Sequence, residues 1–129
     1  LSEIFPLIIE KTRDLKIGFG FFSQKGEFVR KCIISGDFCQ SFGADVYGTK
    51  ARVIRIEADV SDGLPSFTMV GFPSAQVREA QERVRTAFKN NRLSLPPKRV
   101  TVNFAPADMK KEGAGFDLPV AAAVLAAAG

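Results

Sequence analysis

An α+β fold is the class that the sequence predicts, and three patterns in the chain predict it. Apolar and polar residues alternate over residues 51–60 and again over residues 100–104, which is typical of half-buried strands. Between them, apolar residues recur at helical spacing from Val77 to Phe88. Residues 120–128 are almost wholly Ala, Val and Leu, as in a buried helix. In chain order the predicted elements are βββαβα.

The composition fits one domain with a basic surface. The 129 residues are 46% hydrophobic and 25% charged, which are ordinary globular values. A net charge of +4 permits contact with an anionic partner but does not require it. The sequence has no run of about 18 apolar residues, so we predict no membrane span. The sequence has no His, and its two cysteines, Cys32 and Cys39, are too few ligands for a zinc site. We therefore expect free thiols and no bound metal.

Residues 1–42 differ from the rest of the chain because they show no motif and no steady period. Ser2 is a candidate N-cap for a short helix that would run through Ile9. We assign residues 1–42 to an extension or leader, and residues 43–129 to a partial domain.

The predicted strands begin at Gly43, where an extended segment leads to a turn near Tyr47-Gly48. The next strand places four apolar side chains on one face: Ile54, Ile56, Ala58 and Val60. Asp62-Gly63 is a turn signal, and we predict that Ser66 to Val70 returns beside this strand as a hairpin.

Ser74 is the predicted N-cap of the helix that follows. Its apolar stripe comprises Val77, Ala80, Val84, Ala87 and Phe88. Asn90-Asn91 is expected to end the helix in a left-handed conformation.

Pro96-Pro97 predicts an extended lead-in to the strand that contains Val100, Val102 and Phe104. Asp117 is the expected N-cap of the last helix, with Pro119 tolerated in its first turn. That helix is apolar all round and needs cover on several sides, so we expect the domain to be truncated at Gly129.

No residue is predicted to be catalytic. The Gly113-Ala114-Gly115 turn precedes a helix, but the GxxxxGK[ST] string of a phosphate-binding loop is absent from the sequence. Lys110 and Lys111 supply amines, yet no Ser or Thr lies between Lys111 and Asp117 to act as a nucleophile.

A basic cluster on and just after the predicted helix that Ser74 caps is the candidate contact surface for nucleic acid or a protein partner. It comprises Arg78, Arg83, Arg85, Lys89 and Arg92, with Lys98 and Arg99 beyond. The alternative is a solvated helix face that Glu79 and Glu82 partly neutralise. If nucleic acid binds here, its affinity should fall steeply with salt.

Five blocks occur in order along the chain: Gly63-Leu64-Pro65-x-Phe67-x-x-Val70-Gly71; Glu79-x-x-Glu82-Arg83-Val84-Arg85; Pro96-Pro97-Lys98-Arg99-Val100-Thr101-Val102-Asn103; Pro106-Ala107-Asp108-x-Lys110-Lys111-Glu112-Gly113; and Phe116-Asp117-Leu118-Pro119-Val120-Ala121. Together they resemble the N-terminal domain of the magnesium-chelatase-like AAA+ ATPases, the YifB/ComM group. The resemblance covers roughly residues 42–129.

The resemblance implies a fold similar to the C-terminal proteolytic domain of Lon and to the second domain of a small-subunit ribosomal protein. It implies a cytoplasmic parent protein that forms a hexameric ring, with DNA as a candidate partner through branch migration during transformation. ATP and Mg²⁺ are expected for that parent, and no cofactor is expected in this chain, because the ATPase motifs would lie beyond Gly129. A degenerate Lon-like peptidase is the alternative function, although the Lon-like Ser is absent.

Overall fold

The computed structural model describes residues 20–22, 28–30, 33–35, 38–113 and 115–129. The helix predicted between Ser2 and Ile9 lies outside these residues. Within them the strands are β1 (Gly20–Phe22), β2 (Phe28–Arg30), β3 (Ile33–Ser35), β4 (Phe38–Tyr47), β5 (Lys50–Ser61), β6 (Ser66–Val70) and β7 (Arg99–Ala105). The helices are α1 (Ala75–Arg78), α2 (Ala80–Asn90) and α3 (Asp117–Ala128).

Five strands form one sheet in the order β3-β4-β5-β7-β6, and β1 pairs with β2 separately. β4 and β5 are a long antiparallel hairpin, paired from Phe38 opposite Asp59 to Tyr47 opposite Lys50. The hairpin turns at Gly48, as predicted, with a φ of 61°. β7 runs antiparallel to β5 and parallel to β6. The predicted α+β class is confirmed, and the expected domain start at residue 43 falls within β4.

The hairpin predicted between β5 and β6 is wrong, because β7 lies between these two strands. β6 and β7 are parallel neighbours, so the chain between them must return over one face of the sheet. α1 and α2 form this crossover connection. Val100, Val102 and Phe104 of β7 are fully buried, whereas β6 exposes alternate residues. The more deeply buried strand is therefore the central one, and β6 is an edge.

The core lies between one face of the sheet and the helices. The predicted inward faces of β5 and β7 are buried, as is the predicted stripe of α1 and α2 from Val77 to Phe88. Phe104 meets Phe116 edge to face, with ring centroids 5.7 Å apart. Cys39 is buried in this core and takes part in a disulfide, so the prediction of free thiols is wrong for this residue.

The helix ends are partly as predicted. Ser74 is the N-cap of α1, and its Oγ accepts a hydrogen bond from the Val77 amide at 3.2 Å. The predicted single helix is interrupted at Glu79 into α1 and α2. At the end of α2, Arg92 takes the left-handed conformation with a φ of 57°, while Asn91 has a φ of −97°. The prediction of a left-handed Asn is therefore wrong by one residue.

None of the helices in the described part of the chain is long and apolar enough to cross a membrane.

Candidate functional site

The structure separates the five basic residues that the sequence groups together. Arg85, Lys89 and Arg92 line one groove. Arg83 forms an ion pair with α3, and Arg78 lies at the end of α1, exposed and outside the groove. Three of the five candidates thus share a concave surface, and two do not.

This surface, the basic groove, runs between the edge strand β6, the C-terminal half of α2 and the loop that leads to β7. It encloses about 610 Å³. Its lining residues are Pro65, Ser66, Phe67, Arg85, Phe88, Lys89, Arg92, Leu93, Ser94, Leu95, Pro96, Lys98 and Val100.

The basic groove has an apolar floor. Phe88 and Val100 are buried core residues, and Phe67, Leu93 and Leu95 are half-buried and pack against the core. None of these apolar residues is among the site residues predicted from the sequence. The signal available was the pair of leucines in a polar, proline-bearing loop directly after a basic helix.

The rim of the basic groove is cationic. Lys98 pairs with Asp62 at 3.2 Å. Among the residues that the structure describes, no carboxylate forms an ion pair with Arg85, Lys89 or Arg92. Three neighbouring cations without counter-charges favour an anion in the groove.

Arg85 is held at the groove by an aromatic ring and an amide. Its guanidinium carbon lies 5.9 Å from the centroid of the Phe67 ring, which is cation–π distance. In the orientation that satisfies both of its amide atoms, Gln81 donates to the Phe67 carbonyl and accepts from Arg85 Nη2, each at 3.2 Å. These contacts place an exposed guanidinium plane over an aromatic ring at the groove wall.

Arg83 and Asp117 form a two-point ion pair between α2 and α3. Arg83 Nε and Nη2 donate to the two Asp117 carboxylate oxygens at 2.5 and 2.9 Å. The hydrogen bond that Arg83 donates to Asp117 raises the pKa of Arg83. The prediction that Asp117 caps α3 is wrong, because Phe116 is the N-cap residue and the Asp117 side chain makes no capping bond. Its carboxylate instead binds the arginine of the neighbouring helix.

Lys111 is buried rather than part of an open basic loop. Its side chain has no solvent exposure, and Nζ donates to the carbonyls of Gly71 at 2.8 Å, Met109 at 2.6 Å and Pro106. Burial lowers the pKa of Lys111. An ammonium group has three hydrogens, one for each of the three carbonyls. The amine of Lys111 therefore joins the loop at Gly71 to the loop of Pro106 and Met109. Lys110, by contrast, is exposed and pairs with Glu112 at 2.7 Å.

The described residues do not fit Mg²⁺ and ATP. Asp117 lies in the first turn of α3, at the helix N-terminus where a phosphate would have to sit. Within the described part of the chain, no group of three or more His, Cys, Asp or Glu side chains is placed to hold a metal ion. We therefore assign no step of ATP chemistry to these residues.

Comparison with known protein families identifies the domain. The sequence model for subunit ChlI of Mg-chelatase matches residues 56–129, more than half of the chain. The chain belongs to this family. The match covers all of β6, β7 and the three helices, and hence every residue that lines the basic groove.

Relatives of this ChlI-like chain confirm the predicted YifB/ComM group. It is 52% identical over 80 residues to competence protein ComM of Haemophilus influenzae, covering 62% of this chain and 16% of that protein. It is 51% identical over 80 residues to the uncharacterized protein YifB of Salmonella typhimurium, with the same coverage. An uncharacterized Mycobacterium tuberculosis protein, Rv2897c, is 40% identical over 88 residues, covering 68% of this chain and 18% of that protein. The chain thus spans less than a fifth of the length of these relatives.

Proposed function

We propose that this chain is the N-terminal accessory domain of a magnesium-chelatase-like ring ATPase, and that its basic groove contacts nucleic acid. The domain would begin near residue 43 and have the Lon-like fold. The parent protein would be cytoplasmic, would assemble as a hexamer, and would bind ATP and Mg²⁺ through a module outside this chain. The family match and the likeness to a competence protein support this proposal.

One observation carries the nucleic-acid contact: Arg85, Lys89 and Arg92 line the same groove, and none of them forms an ion pair within the described residues. Three cations in one concavity, with no carboxylate partner among the described residues, repel each other, and a polyanion relieves that repulsion. Lys98 adds a fourth cation on the same rim, and its carboxylate partner Asp62 is solvent-exposed. The groove therefore offers a line of phosphate contacts.

Binding of this kind is driven by the release of counterions. With about three phosphates neutralised, the logarithm of the binding constant should fall with the logarithm of salt concentration with a slope of about −2 to −3. The domain alone would then bind weakly, and a ring would add the contributions of several copies.

The alternative of a degenerate peptidase gains nothing from the geometry. Lys111 has its hydrogens directed at three carbonyls, and the segment from Lys111 to Asp117 contains no hydroxyl side chain. A lysine base needs a neighbouring nucleophile to start covalent chemistry. We do not pursue a proteolytic role.

The test is fluorescence anisotropy of a labelled DNA oligonucleotide titrated with the chain at several salt concentrations. A groove variant, R85Q/K89Q/R92Q, is compared with a control variant, K50Q/R78Q/R99Q. The control removes three exposed cations outside the groove, so both variants lose the same net charge. We expect the groove variant to lose at least tenfold in affinity and most of the salt slope, and the control to lose less than threefold. Equal affinities of the two variants would overturn the proposal.

A further inference from the structure

The basic groove joins two kinds of surface, and phosphate binding alone needs only one of them. Its floor is apolar, formed by Phe67, Phe88 and Leu95 among others, and its rim is cationic. Simple phosphate recognition requires only the rim, because a phosphate group gains nothing from an apolar surface. The floor therefore indicates a ligand that is anionic along one side and apolar and flat along the other.

A single nucleic-acid strand has this character, whereas a duplex does not. In a duplex the bases are stacked and paired inside, so a groove on a protein surface meets mainly phosphates and sugars. In a single strand the bases turn outward and stack on aromatic rings or on guanidinium planes. The Phe67–Arg85 pair supplies a platform of this kind, because Arg85 is exposed and its guanidinium lies over the ring of Phe67.

We infer that the basic groove binds a short single-stranded segment, with phosphates on the rim and a base against the Phe67–Arg85 pair. This inference rests on the proposed function and adds to it which form of nucleic acid the groove selects. The rim residues Lys89, Arg92 and Lys98 would follow the backbone of the strand. A volume of about 610 Å³ accommodates only a short stretch. Since stacking tolerates any base, we expect little sequence preference.

The first measurement compares three ligands on the unmodified 129-residue chain. They are an oligothymidine, a strand of abasic sites with the same number of phosphates, and a duplex of the same length. The abasic strand keeps the charge and flexibility of the oligothymidine and removes only the bases. We expect the oligothymidine to bind about tenfold or more tightly than the abasic strand. It should also bind more tightly than the duplex.

The second measurement places a reporter in the groove. The chain has no Trp, so Phe67→Trp introduces a single indole where a base is expected to stack. Phe72→Trp is the matched control, because Phe72 is exposed but does not line the groove. The oligothymidine should quench the fluorescence of the Phe67→Trp chain and leave the Phe72→Trp chain unchanged. The abasic strand should quench neither.

The outcomes separate this inference from the proposed function. Equal affinity for the oligothymidine and the abasic strand would overturn the inference and leave the phosphate contact intact. A duplex bound as tightly as the single strand would do the same. If none of the three ligands binds at low salt, both the inference and the proposed function fail. Because the first measurement uses the unmodified chain, the result does not depend on whether a variant folds.

Discussion

Arg83 of α2 and Asp117 of α3 are joined by two hydrogen bonds, Nε to Oδ2 at 2.5 Å and Nη2 to Oδ1 at 2.9 Å. The pair lies 34 residues apart in sequence, and Arg83 also donates to the Gln76 carbonyl at 3.2 Å. This single side chain therefore ties the segment before α2, α2 itself and the start of α3 together.

Asp117→Asn should lower the free energy of unfolding by about 1 kcal/mol, because the amide carries no charge and its single oxygen can accept only one of the two hydrogen bonds from Arg83. The value is modest because the Arg83 side chain is 37% exposed and water screens the pair. The measurement is urea unfolding of both single variants and the double variant with Arg83→Gln. A coupling energy near zero would show that the two side chains act independently. Glu79→Gln, at the 3.6 Å pair with Arg83, is the control and should change stability by less than about 0.5 kcal/mol.

Lys111→Met should destabilise the fold by about 3 kcal/mol. Methionine matches the lysine stem in length but leaves the carbonyls of Gly71, Pro106 and Met109 without a donor. Lys110→Met is the matched control, because Lys110 is exposed and its pair with Glu112 lies on the surface. It should change stability by less than about 0.5 kcal/mol. Unfolding curves in urea that coincide for the two variants would contradict the structural role of Lys111.

The buried position of Lys111 predicts a dependence of stability on pH. Its pKa in the folded chain lies below the ordinary value of 10.5, because burial penalises the charge. Between the folded pKa and 10.5 the unfolded chain therefore holds more protons at this residue, and the free energy of unfolding rises with pH. Below the folded pKa both states are protonated and the contribution is flat. The check is the stability difference between wild type and Lys111→Met, followed from neutral pH to about 10.5, which should grow in the alkaline part of that range. A difference that shrinks there would contradict the lowered pKa.

Gly71→Ala should cost more stability than any other single methyl addition at a described glycine with positive φ. Its φ is 92°, and an added Cβ would lie 2.0 Å from the Phe104 carbonyl oxygen. We expect a loss above about 3 kcal/mol, since both the backbone and the neighbouring strand must move. Gly48→Ala is the comparison, with a φ of 61° and open space around the new atom. It should cost about 1 kcal/mol, and thermal unfolding of the two variants should rank them in this order.

Local patterns in the sequence predicted the local structure well. The Ser74 cap, the alternation of β5 and β7 and the stripe from Val77 to Phe88 depend on residues a few positions apart. The order of strands in the sheet does not depend on such nearby residues, because β6 and β7 pair across a helical crossover. The chain does bend at Asp62-Gly63, as the turn signal predicts. After the bend, however, β6 lies beside β7, on the side of β7 that faces away from β5.

The candidate site was half predictable for the same reason. Arg85 and Lys89 lie on one helix and Arg92 follows directly after it, so their charges could be grouped from sequence, whereas Phe67 and Leu95 reach the groove from other segments. A positive charge alone also does not distinguish the residues that line the groove from those that hold the fold together. Arg83 and Lys111 carry the same charge as the groove residues, yet both are used in internal hydrogen bonds. Their partners, Asp117 and Gly71, are 34 and 40 residues away.

The central position of β7 has a consequence for how the groove comes into being. In the described sheet β6 pairs only with β7. The strand that carries Phe67 therefore has no pairing partner until β7, residues 99–105, has paired with β5. During synthesis the helix with its cations emerges first, and the groove closes only when the later strand arrives between two earlier ones. The groove is thus completed late in assembly. Hydrogen exchange should find the amides of β6 opening more readily than those of β5.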